Sequence, residues 1–359
     1  MHIQASRLLP YCLTLRRSWR TNNGVLSERR GWIVELISDR GMKGYGDCAP
    51  LEAAGTESAL VAEAWLTTRL PLTHQQEPAK IIGALPQPAE APSARHAMET
   101  ALLDLVSHAA GCSLRHWLSS KAVDQVGVNA SAGRLDEDAM ERSQPLLEQG
   151  FSTLKFKVGA TEIDQELSWL QQLDKHLPAH IRLRLDANGA WDMREAKMFL
   201  REIPLRVESL EEPLETPVPE RLAQLQEMTH TALALDESLT GLSIKSLLQK
   251  PPIRRLIIKP TVLGGLLPSM ALASQAAKAG MQTLVTSTLE SAVGIQAAAQ
   301  LAAAIHRPEA PLEHGLATSE WLSNDVAEAP KITQGRLMLS DASGLGIKPY
   351  GSLSGPSSV

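Results

Sequence analysis

Five sites spaced along the middle of this 359-residue chain carry groups suited to moving a proton beside a metal ion: the pair Lys155/Lys157, then Asp186, Glu211, Asp236 and Lys259. The intervals from Asp186 to Lys259 are 25, 25 and 23 residues. Each site ends a short apolar or β-branched run: STLKFKV (152–158), RLRLDAN (182–188), RVESLEEP (206–213), ALALDES (232–238) and RLIIKPT (255–261). Lys155 and Lys157 are two apart and share a strand face. In LEEP, alternation puts Val207, Ser209 and Glu211 on one face, which selects Glu211 over Glu212. Glu212 is then expected to face outward or pair locally.

Three carboxylates on adjacent strands can converge on one hard cation. Mg²⁺ takes oxygen ligands octahedrally and leaves positions for water and substrate; without a cation, the carboxylates would repel one another and protonate. A lysine beside another cation loses proton affinity and can act as a base near neutral pH. Base and divalent metal together remove a proton α to a carboxylate, with the metal stabilising the enediolate. The expected metal ligands are therefore Asp186, Glu211 and Asp236, holding Mg²⁺ with Mn²⁺ as the alternative ion. The expected catalytic residues are Lys155, Lys157 and Lys259, and the partner is a small-molecule carboxylate. Arg184 shares a strand face with Asp186 and either meets a substrate carboxylate or forms an internal ion pair. Ser287 and Thr288 end the next strand, QTLVTST (282–288), and are expected on the substrate. HGLAT (314–318) falls at the last strand, without assigned side chains.

The elements that must hold these groups follow the same rhythm. Helical stretches separate the strands: about 161–176, 193–203, 219–229, 243–249, 268–280 and 294–306. Strands alternating with helices argue for a parallel sheet. A unit of about 25 residues repeated through 125–325 fits a (β/α) barrel of seven or eight units, whose strand C-termini form the active site. A doubly wound sheet is the alternative, but no GxGxxG or GxxxxGK[ST] is found. Residues 1 to about 115 read as mixed. GWIVELIS (31–38) is a strand, GYGDCAPLEAAGTES (44–58) a loop and SARHAMETALLDLVSHAAG (93–111) a helix.

Composition narrows the classes. Net charge is −5, so the basic excess of a nucleic-acid binder is missing. Cys12, Cys48 and Cys112 form no CxxC pair and read as free thiols of a reducing compartment. His176 and His180 are separated by Pro178 and are not read as a zinc pair. No run of about 18 apolar residues and no signal-type N-terminus is seen, so no membrane role and a cytoplasmic location are expected.

The motifs together resemble the enolase superfamily, muconate-lactonizing subgroup, over nearly the whole chain. GYGDCAPLE resembles its cap-domain loop and RHAMETALLDL its cap helix. LKFKVG carries its KxK pair, and RLRLDANGAW, SLEEP, LALDESL, LIIKPTVLGG and TLVTSTLES resemble its successive barrel motifs. The resemblance implies an α/β fold, a modified TIM barrel over residues 121–334 with an α+β cap domain over 1–120, to which a tail of about 335–359 returns. It also implies a lysine base working with Mg²⁺ on an enediolate. Lys157 would be the acid/base, Lys259 a cation near the enediolate, and Lys155 a polariser of the substrate carboxylate. Arg16 to Asn23 would be a mobile cap loop over the mouth, selecting substrate together with Glu52 to Gly55. Within the subgroup the wording is most similar to the o-succinylbenzoate synthases, lyases of menaquinone biosynthesis. These dehydrate 2-succinyl-6-hydroxy-2,4-cyclohexadiene-1-carboxylate. N-succinylamino acid racemases and dipeptide epimerases share the same lysines and ligands and stand as the alternative.

Overall fold

The computed structural model describes residues 1–21, 24–88 and 90–350. It opens with a long hairpin, β1 (Ile3–Thr21) on β2 (Gly24–Ser38), which continues into β3 (Lys43–Cys48) as a three-stranded antiparallel sheet. Residues 16–21, expected in a loop, extend β1 past a register irregularity between Thr14 and Trp19. Asn22 and Asn23 lie outside the described residues. Helices α1 (Ala59–Arg69), α2 (Pro78–Ala84) and α3 (Pro92–Ala109) follow. The expected loop at 44–58 is corrected over 44–48, which is strand. Gly44 and Gly46 read as turn residues in the sequence but serve close packing. A Cβ on Gly46 would stand 1.9 Å from the carbonyl oxygen of Ala97, and one on Gly44 2.2 Å from that of Ala101. Bare glycine lets α3 lie against β3.

After α4 (Leu114–Leu118) and β4 (Gln125–Gly127), strands and helices alternate. The order is β5 (Ala130–Arg134), α5 (Ala139–Glu148), β6 (Thr153–Lys157), α6 (Ile163–His176), β7 (Arg182–Asp186) and α7 (Met193–Glu202). Then come β8 (Val207–Glu211), α8 (Pro219–Glu227), β9 (Ala232–Leu235), α9 (Ile244–Gln249) and β10 (Arg255–Ile258). The short α10 (Pro260–Leu263) leads to α11 (Leu266–Lys278), β11 (Gln282–Val285) and α12 (Ala292–Ala304). β5 to β11 form one parallel sheet in chain order. Its two ends are bridged by residues 314–315: His314 pairs with Val128, and Gly315 with Thr286. This ring of seven strands and one two-residue stave fits a modified (β/α) barrel.

The local sequences suit these places. ALAL of β9 and RLII of β10 are wholly buried, as strands covered on both faces must be. Helix α12 is buried along nearly its whole length, which its all-round apolar alanine-rich sequence allows. Asp192 and Glu195 cap α7 reciprocally. β12 (Ile332–Thr333) and β13 (Arg336–Met338) pair back onto β4. Beyond them, Leu345 N donates to Asp104 Oδ1 of α3 at 2.7 Å, while Tyr45 N of β3 donates to Asp104 Oδ2 at 2.9 Å. No described helix is long and apolar enough to cross a membrane.

Candidate active site

The parallel register brings the sequence-selected groups to one end of the sheet. Lys157 pairs with Asp186, and Asp186 with Glu211, while Asp236 and Lys259 follow the last residues of β9 and β10. All six ionisable groups, Lys155, Lys157, Asp186, Glu211, Asp236 and Lys259, line one cavity. Lys155 Nζ stands 2.9 Å from Asp186 Oδ2 and 2.8 Å from both Glu211 oxygens. Across the cluster, Lys259 Nζ lies 2.6 Å from Asp236 Oδ2 and 3.8 Å from Glu237 Oε1.

Glu237 is a member that sequence reasoning missed. One oxygen from each of Glu211, Asp236 and Glu237 lies within 4.8 Å of the others. Its signal was present, as the residue after Asp236 in LALDESL, but that motif had been read for its aspartate alone. Glu212, set aside as a ligand by strand alternation, takes the local pairing expected of it. It is buried and local, as its alternative placement required. Its carboxylate accepts from Asp236 N at 2.6 Å and from the amide and hydroxyl of Ser238 at 3.1 and 2.8 Å. Glu212 thus fixes the backbone that carries Asp236, from a left-handed conformation at φ +46.

The electrostatics follow from burial and crowding. Burial, then the charge of Asp186, pushes the Glu211 carboxyl up to about 8, although Lys155 pulls the other way. Burial also raises Asp236, with Lys259 opposing. Asp186 is held below its ordinary range, because Lys155 outweighs its burial. Burial alone would lower Lys155 and Lys259, but their carboxylate neighbours hold both above the ordinary lysine value. A carboxyl raised to about 8 by burial and by the charges of Asp186 and Asp236 marks a crowded buried carboxylate cluster, and this donor set suits a hard divalent cation.

The softer positions divide. Arg184 makes the internal pair: Nε to Glu208 Oε1 at 2.5 Å, with Nη1 to Asn129 Oδ1 at 3.2 Å and Glu313 O at 2.5 Å. A register shift between β7 and β8 skips Glu208, whose carboxylate also meets Arg255. Arg184 nevertheless lines the cavity, and its buried Nη2 has no hydrogen-bond partner. Ser287 and Thr288 line the cavity too. Ser287 Oγ shares a hydrogen bond with Thr318 Oγ1 at 2.7 Å, and the Thr288 hydroxyl donates to Glu290 at 2.8 Å. From HGLAT, Gly315, Ala317 and Thr318 join the wall, with Trp321 just beyond, whereas His314 is buried with Nδ1 accepting from Val285 N. Among the described side chains, none of 16–18 or 52–55 lines this cavity.

Comparison with known proteins fits this geometry. Residues 138–352 match the family model described as Enolase C-terminal domain-like. The chain belongs to the enolase superfamily. Among its superfamily relatives, an o-succinylbenzoate synthase of Desulfotalea psychrophila is 28% identical, over 91% of this chain and 97% of that protein. An L-amino acid-D/L-Glu epimerase of Francisella philomiragia is 26% identical, over 82% and 83%. Among solved structures, a dipeptide epimerase from Methylococcus capsulatus, complexed with Mg and the dipeptide L-Arg-D-Lys, is 27% identical. It superposes with a TM-score of 0.86 over 98% of this chain and all of that one. Superfamily catalysis is thereby supported, while the relatives divide between two reactions.

Proposed function

We propose that this chain is a metal-dependent hydro-lyase that converts 2-succinyl-6-hydroxy-2,4-cyclohexadiene-1-carboxylate to o-succinylbenzoate, in menaquinone biosynthesis. In this reading residues 1–120 cap a closed (β/α) barrel of 121–334, and the tail from about 335 returns to the cap. The observation that carries the choice of reaction is the cavity wall. Away from Asp186, Glu211, Asp236 and Glu237, its residues are apolar, amide, hydroxyl or cationic, with no further carboxylate among them. A dipeptide's free ammonium would find no separate counter-charge there. A substrate with an anionic succinyl tail would find the Arg184 guanidinium, whose Nη2 makes no hydrogen bond and lies 3.8 Å from Glu313 Oε2, and the hydroxyl of Ser287.

Asp186, Glu211 and Asp236, with Glu237 beside them, would hold Mg²⁺, or Mn²⁺ as the alternative. A divalent cation bound there supplies the Lewis-acid charge that makes the α-proton of a carboxylate removable near neutral pH. Lys157 takes that proton, and the C–H electron pair moves into the carboxylate to give an enediolate. Lys157 then gives the proton to the departing hydroxyl. The C–O bond breaks, water leaves, and the ring becomes aromatic. Lys259 offsets the enediolate's charge from the far side, and Lys155 polarises the substrate carboxylate. Racemisation of an N-succinylamino acid is the second reading. It is favoured by the placement of Lys157 on β6 and Lys259 after β10, on opposite flanks of the carboxylates, and by the epimerase relative. A spectrophotometric assay of aromatic product, with and without exhaustive chelation, tests the first reading. Turnover abolished by chelation and restored by Mg²⁺ is expected. Full turnover after chelation contradicts the metal, and absence of turnover in Mg²⁺ contradicts the substrate.

A further inference from the structure

The wall residues Ser287, Thr288 and Leu289 belong to a loop held partly by its own Glu290 and partly from the cap. Leu289 has φ +66, a left-handed conformation that a branched apolar side chain adopts at a cost glycine does not bear. Its side chain nevertheless lines the cavity and is almost fully buried. Three buried ionisable residues surround this turn, and two of them come from the cap. Arg29 of β2, 3% exposed, donates Nε to Leu289 O at 3.1 Å. Its other two nitrogens go to cap carbonyls, Nη1 to Pro50 O at 2.8 Å and Nη2 to Ala49 O at 2.7 Å. Asp47 of β3 accepts from the amide and hydroxyl of Ser291 at 2.9 and 2.7 Å, and from Tyr11 at 2.7 Å. From the barrel side, Glu290 accepts from Thr288 N, the Thr288 hydroxyl and Thr261.

Arg29 is the member with an unusual assignment. All three of its hydrogen bonds end on backbone carbonyls, and none on a carboxylate. A planar fork holds its donors in fixed, separated directions toward two chain segments, whereas an ammonium group offers rotatable donors from a single point. Here the fork joins the cap turn at 49–50 to the strained carbonyl of the cavity loop. Among the described side chains, neither 16–18 nor 52–55 contributes to the wall, so this junction is a route by which the cap can act on the cavity.

We propose that Arg29 is a positioning residue: it locks Leu289 in its left-handed conformation and thereby sets Ser287 and Thr288 against the distal part of the substrate. The proposal rests on the reading that these two residues face substrate, but it does not depend on which of the two reactions occurs. Arg29→Lys keeps the charge and loses the fork. In hydrogen–deuterium exchange of the substrate-free enzyme, the peptide spanning 286–291 should exchange at least tenfold faster in Arg29→Lys than in wild type, with β6 to β9 unchanged. In kinetics, run on whichever of the cyclohexadiene or N-succinylamino acid wild type turns over, KM should rise about tenfold with kcat within about threefold. Added guanidinium should restore part of the loss in Arg29→Ala. Should wild type racemise and not dehydrate, the proposed reaction fails and the comparison is read on the amino acid. Unchanged exchange at 286–291, or a fall in kcat with KM unmoved, overturns the role of Arg29. If Arg29→Ala does not fold, Arg29→Lys together with Leu289→Gly still decides. Glycine takes φ +66 without strain, so the exchange difference caused by Arg29→Lys should shrink in that background. An undiminished difference contradicts the lock.

Discussion

At the residue scale, the site pairs two of its lysines with carboxylates: Lys155 with Asp186 and Glu211, and Lys259 with Asp236. Lys157 stands beside Asp186 in the register and carries the proton-transfer role in the proposed reaction. Lys157→Ala should lower kcat by about 10²–10⁴-fold, the range for loss of a positioned acid/base, with Mg²⁺ affinity unchanged. A loss under threefold in stopped-flow turnover contradicts that role. Glu212 acts one step back, through the backbone of Asp236. Glu212→Gln should weaken Mg²⁺ binding by about 10–100-fold in calorimetry, as losses of groups that orient a ligand typically do. Unaltered affinity would mean that Asp236 is held by other means. Of these groups, the sequence made legible the ones that end strands at regular intervals. Glu237 escaped because it sits one residue past a strand-end carboxylate, where alternation assigns it to the other face, whereas Glu212, expected to face outward or pair locally, does pair locally. The chain turns sharply at both places, and periodicity cannot see a turn.

At the scale of elements, the alternation of strand and helix from β6 to α12 was legible because each strand carries a short apolar or β-branched run, fully buried in ALAL and RLII and interrupted by charged residues in TLKFK, RLRLD and VESLE. β5 was not: ASAGR has no β-branched residue, and its strand conformation comes from pairing with β6. α5 carries Pro145 in its interior and hid for the same reason. Gly44 and Gly46 misled in the opposite direction, since glycines required for helix packing look like turn residues. Gly46→Ala should therefore destabilise by about 1–3 kcal/mol through overpacking against α3. A melting temperature equal to wild type would contradict the packing described. Asp104 ties α3 to β3 and to the C-terminal segment, and burial pushes its carboxyl up to about 7, with the two backbone hydrogen bonds opposing. The folded chain then holds a proton that the unfolded chain, near its ordinary value of 3.8, has released. Its contribution is fully present below that value and is lost as pH rises through about 7. Between pH 5 and pH 8 the melting temperature of wild type should fall more than that of Asp104→Asn. Parallel profiles would remove Asp104 as the source.

At the scale of the molecule, the sheet closes through His314 and Gly315, within the HGLAT segment expected at the last strand, as a stave of only two residues. The sequence gives the rhythm of a barrel, but closure is a long-range pairing between Val128, Thr286 and this stave. The antiparallel sheet of β1 to β3 is joined to the barrel mouth by the Arg29 and Asp47 contacts. The central claim is that this assembly abstracts an α-proton and expels a hydroxyl on one face, without exchanging the proton between faces. Its most direct test is proton NMR of wild type with Mg²⁺ in D₂O, supplied with the cyclohexadiene carboxylate and with an N-succinylamino acid of each hand. The account predicts conversion of the first to o-succinylbenzoate and little or no α-deuterium in either amino acid. Efficient α-deuteration and racemisation of the amino acids, with the cyclohexadiene left untouched, would contradict it.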